Sequence, residues 1–215
     1  MNAAGDLPYE WWTTTFKESI AEIGTTLLVL SPWNDPVPLT RASCLFEIMC
    51  SIEGKASGAV DLQIALPPRE HESLREGLEE DFNSIMDALV RINAERATAF
   101  KETDKASIFR SIREGVGFTR LNAEVKDVLR AWYVNTGCAI VDAMLAGRDD
   151  DVTATGPRSI MYNLGVALKQ QGDYDRALEY YEKDLAVKLA TLGPDHPRTA
   201  ITYNAIGQAW GSKGN

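Results

Sequence analysis

Residues Tyr162 to Asp173, YNLGVALKQQGD, return in altered form at Asn204 to Asn215, NAIGQAWGSKGN. In register, Leu164 falls on Ile206, Gly165 on Gly207, Ala167 on Ala209, Leu168 on Trp210 and Gly172 on Gly214, a period of 42 residues. A period of this length marks a helical solenoid, because one helix pair cannot bury its own apolar face and must stack on another. Gly165 and Ala167 are small where the two helices of a pair must approach closely, and Ala177 is their counterpart on the second helix. Leu164, Leu168, Leu178 and Tyr181 supply the apolar seam. The pattern predicts helices over 159–171, 174–192 and 198–213, hinged at Gly172-Asp173 and turned at 193–197. The surface around Leu168 and Trp210 should be under-covered, and such a scaffold serves to bind.

Upstream the periodicity changes. Trp12, Phe16, Ile20 and Ile23 recur at helical spacing and Gly24 stops the run. TTLLVL, from Thr25 to Leu30, is an apolar, β-prone run ended by Ser31-Pro32, as expected of a strand covered on both faces of a parallel sheet. RASCLFEIMCSIEG then carries Leu45, Ile48, Met49 and Ile52 on one helical face, and Val60 to Leu66 forms a second strand. Strand, helix, strand is a crossover unit with parallel pairing. Leu74, Leu78, Phe82, Ile85, Leu89 and Ile92 predict a helix from about Glu70. Asp104 is placed to cap the next one, and Leu121 to Ile140 outline a long last helix ending near Met144. GRDDDVTATGP, 147–157, reads as a linker between a domain at 1–146 and repeats at 158–215. The expected fold class is α/β plus all-α, mostly helical overall.

Composition narrows the chemistry. Of the 215 residues, 22 are basic and 31 acidic, for a net charge of −9, which opposes nucleic acid or an anionic membrane as partner. Cys44, Cys50 and Cys138 are odd in number and sit in apolar helical contexts, as buried thiols in a reducing compartment do. The N-terminus has no basic region followed by an apolar core, and no run reaches the roughly 18 apolar residues of a membrane span. A cytoplasmic protein is expected. Asp149, Asp150 and Asp151 lack the spacing of a calcium loop and read as solvated charge, while His196 reads as a turn residue before Pro197 rather than a metal ligand. No glycine-rich dinucleotide motif, phosphate loop or serine elbow is present, so neither cofactor nor metal is expected.

Two resemblances follow. YNLG at Tyr162 to Gly165, GDYDRALEYY at Gly172 to Tyr181 and LGPDHP at Leu192 to Pro197 resemble the tetratricopeptide repeats of the kinesin light chain type. Met161 stands where a repeat usually has a large aromatic, which Tyr203 provides next, and about one and a half repeats are present, as at the front of a longer array. The resemblance implies an adaptor that binds a protein or peptide on the surface lined by the first helices. It makes Asn163 and Asn204 candidate peptide contacts, with self-association a further expectation. TTLLVLSPW, RASCLFEI and DLQIALP resemble the middle of a TIR-like domain, here partial because the first strands have no counterpart. Some such domains cleave NAD with a glutamate that C-x-x-E places at Glu47, although Ser43 replaces the usual tryptophan. A carboxylate near the ribose would stabilise an oxocarbenium-like transition state. The favoured reading is a non-enzymatic binding module, and the alternative an NAD-cleaving enzyme.

Overall fold

The computed structural model describes residues 8–56, 58, 60–80, 89, 91–146 and 158–214. The linker expected at 147–157, and Phe82 and Ile85 of the helix expected from Glu70, lie outside them. The described residues are mostly helical and fall into two compact units, one of residues 8–56, 58, 60–74, 89 and 91–130, the other of 75–80, 131–146 and 158–214.

The first unit opens with a rod, α1, over 9–23: α-helical Tyr9–Trp11, a π turn at Trp12–Phe16, then α-helical Lys17–Ile23. Trp12 and Ile20 are buried, whereas Ile23 is 72% exposed at the last turn, where Gly24 ends the helix in the left-handed region (φ 73°). Strand β1 (Thr25–Val29) leads through α2 (Ala42–Ala56) to β2 (Asp61–Ala65), and the strands pair in parallel from Thr25↔Asp61 to Val29↔Ala65. The Thr26 and Leu28 side of β1 faces α2, with the Ser51 hydroxyl donating to Thr26 Oγ1 at 2.7 Å. The expectation of a strand covered on both faces fails. Leu27 and Val29 are 57% and 40% exposed, because among the described residues the sheet has two strands and a helix layer on one side.

The loop after β1 is tied to α3 (Pro68–Glu80): Glu70 accepts from the Ser31 hydroxyl at 3.0 Å and the Trp33 amide at 3.2 Å. Helix α4 (Glu102–Glu114) begins two residues before the cap expected at Asp104, which sits inside the first turn where a negative charge suits the helix dipole. Ile108, Phe109 and Ile112 are its buried face. Helix α5 (Phe118–Ala146) is long, and its second half belongs to the second unit with α6 (Arg158–Gln170), α7 (Tyr174–Leu192) and α8 (Pro197–Lys213). No described helix is long and apolar enough to cross a membrane.

Candidate functional site

The connections of the second unit follow from their residues. Helix α6 ends at Gly172, whose φ of 81° favours glycine, and Asp173 then accepts from the Arg176 amide at 3.3 Å to start α7. Helix α7 ends at Gly193. His196 caps α8 through Nδ1, which accepts from the Arg198 amide at 3.1 Å, and Pro197 takes the first turn, where its missing N–H costs nothing. That is the place the structure gives His196; His71 Nε2 lies 3.1 Å from the Leu66 carbonyl.

Between α6 and α7 the seam is largely apolar. Leu164, Leu168, Ala177, Leu178 and Tyr181 are buried, and a Cβ on Gly165 would lie 2.6 Å from the Tyr181 ring. The Tyr162 and Tyr181 rings sit 5.7 Å apart, and burial pushes the Tyr181 hydroxyl up to about 12. Leu168 is fully buried, which corrects the expectation that it lies on an under-covered surface: α7 covers it.

The second half of α5 closes one side of this pair. A Cβ on Gly137 would meet Leu164 Cδ2 at 2.9 Å, so the leucine seats against bare backbone. Tyr180 donates to the Cys138 carbonyl (3.2 Å) and Asp142 (3.0 Å), Lys183 donates to Asp142 (2.8 Å) and Arg176 to Asn135 (3.0 Å). Burial first, then these partners, raises the Tyr180 hydroxyl far above the ordinary tyrosine range.

On the other side, α8 stacks on α7 through a buried polar cluster. Asp184 Oδ2 pairs with Lys188 at 2.7 Å and accepts from the Thr202 hydroxyl at 2.7 Å, and Lys188 also donates to Thr202 at 3.0 Å. The Lys188 ammonium lies 4.9 Å from the centre of the Tyr162 ring. Sequence reasoning missed this cluster. Its trace is Asp184 at a helical spacing of four and three from Tyr180 and Tyr181, on a face otherwise apolar.

Helices α6 and α8 also share a face. Lys169 donates to Gln208 at 3.0 Å across it; Tyr162, Asn163 and Val166 are half-buried on α6, and Ile201 and Asn204 are exposed on α8. The second set of repeat residues has a different fate from the first: Ile206 is half-buried, Gly207 has open space beside it and Trp210 is 55% exposed. Residues 158–214 match the family model of the tetratricopeptide repeat. The tetratricopeptide match begins with α6 and ends one residue past α8. No curated protein and no solved structure matches the chain.

Glu47 lies in the first unit on α2, half-buried, and desolvation raises its carboxyl above the usual range. Burial and then the Glu47 charge raise the Cys44 thiol one turn before it. Among the described residues no ion pair joins Arg41 to Asp35 or Glu47, and no group of three His, Cys, Asp or Glu side chains is placed to hold a metal.

Proposed function

We propose that the tetratricopeptide helices hold a peptide or partner protein along the face shared by α6 and α8, in the manner of kinesin light chain repeats, and that the protein is a cytoplasmic adaptor. The repeat match carries this reading, since such repeats generally mediate protein–protein interaction. Asn163, half-buried, and Asn204, exposed, support it, since an amide side chain offers a peptide backbone both donor and acceptor. Peptides selected from a displayed library against the whole chain supply the test. Asn163→Ala and Asn204→Ala should each weaken a selected binder by about 3- to 10-fold, the loss of one hydrogen bond, with the melting temperature unchanged. Binders indifferent to both substitutions would refute it.

The second reading is a partial TIR-like head around β1, α2 and β2 in which Glu47 supports NAD cleavage. The favouring observation is the raised Glu47 carboxyl, since perturbed carboxyls recur at active sites. Incubation with NAD decides it: loss of NAD that disappears with Glu47→Gln sustains this reading, and intact NAD removes it.

A further inference from the structure

Three helices of the first unit each turn one side toward a common cleft of about 210 Å³. Tyr9, Thr13 and Lys17 of α1 line it, four residues apart. In a regular α-helix each such step drifts by about 40° round the axis. The π turn at Trp12–Phe16 is wider and offsets part of that drift, which keeps the three side chains in line. Phe46, Met49 and Glu53 of α2 face them, and the last turn of α4 closes the cleft at Glu114. Phe46 and Met49 are buried and make an apolar floor. Lys17 and Glu53 pair at 2.6 Å and offset each other, which leaves Glu114 as the remaining charge among the lining residues. Tyr9 donates to Glu114 Oε2 at 2.5 Å, and Arg110, which is not a lining residue, donates to Oε1 at 2.9 Å. These bonds, that from Tyr9 first, hold the Glu114 carboxyl below the usual range, so it is ionised at neutral pH.

We infer that this cleft binds a small organic cation, an amine on a compact apolar body, with its ammonium at Glu114 and its body on Phe46 and Met49. Size, charge and polarity each select that ligand. The volume lies below the roughly 300–1,000 Å³ of sites for drug-sized molecules, so the guest is small. Of the charged lining side chains two are acidic and one is basic, and the Glu114 end is also the C-terminus of α4, where the helix dipole favours a cation. A carboxylate has about four acceptor sites. Tyr9 and Arg110 each take one, on different oxygens, so Glu114 retains capacity for an ammonium. The Phe46 ring and the flexible Met49 thioether give the apolar part of an amine a surface to pack on. An anion would instead meet Glu53 and Glu114 in a chain of net −9. Neither Glu47 nor any repeat helix lines the cleft, so this site rests on neither functional reading above.

Titration of the full chain with phenethylamine, followed in the methionine-methyl NMR spectrum, tests the proposal. The Met49 methyl signal, identified by its loss in Met49→Leu, should shift and saturate as the amine is added. Phenethyl alcohol and hydrocinnamate, similar bodies without the positive charge, should need roughly tenfold more, the loss of one charged hydrogen bond. Glu114→Gln should weaken the amine by a similar factor, and Thr13→Phe, which fills the cleft, should abolish its binding, with circular dichroism showing the helices retained. Glu18→Gln makes the same charge change on α1 away from the lining residues and should leave binding unaltered. The comparison of the three probes uses the unaltered chain, so it decides the matter even where a variant folds poorly. A Met49 methyl that does not move, equal half-saturation by amine and alcohol, tighter binding of the carboxylate, or equal losses in Glu114→Gln and Glu18→Gln would each overturn the inference.

Discussion

Two glycines in equivalent repeat positions show how little a residue's identity says without its neighbours. Gly165 is required because the Tyr181 ring occupies the place of its side chain, whereas Gly207 has no such neighbour. Gly165→Ala should therefore destabilise the fold by about 1–3 kcal/mol, the cost of overpacking a dense core. Gly207→Ala should stabilise it by about 0.5–1 kcal/mol through helix propensity alone. Urea denaturation of the two variants checks both signs. Glu47 offers a pH-dependent counterpart. Burial raises its carboxyl, so the folded chain holds that proton more tightly than the unfolded chain, and ionising it costs stability above that range but not below it. Glu47→Gln should gain stability at pH 7, and the gain should vanish as the pH falls through about 4. Equal gains at pH 3.5 and 7 would contradict the desolvation account.

At the scale of elements, the buried pair of Asp184 and Lys188 decides how α7 and α8 stay together. Lys188→Met leaves the fully buried Asp184 without its cation and should cost about 3–5 kcal/mol, while adding Asp184→Ala should restore most of it, since an apolar contact replaces a desolvated pair. Thermal melting of the single and double variants tests that non-additivity. The same stacking marks what was legible in the sequence. Helix ends were readable because Gly24, Gly172 and Gly193 take positive φ, and the crossover β1–α2–β2 because its apolar runs have the periods of strand and helix. The open face of β1 was not readable, since TTLLVL has the same apolar composition whether one or two layers cover it. Nor was the role of α5: the periodicity of Leu121 to Ile140 announces a buried face without saying that Gly137 receives Leu164 from a later helix. Of the candidate site, Gly165 and the seam were visible as a repeat, and the Asp184 cluster was hidden because a single acid on an apolar face has no period.

For the whole molecule, charge sets the long-range behaviour. At net −9 the chain should not retard duplex DNA at 150 mM salt in a gel-shift assay, because it has too few clustered cations to displace condensed counterions. Its thiols should be slow as well: Cys50 is pushed up to about 12 by burial, and Cys44 and Cys138 are raised for the same reason. Alkylation at pH 7.5 should proceed much faster after denaturation than before it. The bonds from Tyr180, Lys183 and Arg176 to α5 carry one more consequence. A row of helices anchored at one edge comes apart from the other, so backbone amides of α8 should trade hydrogen for deuterium before those of α7, the margin peeling back toward the fixed hem.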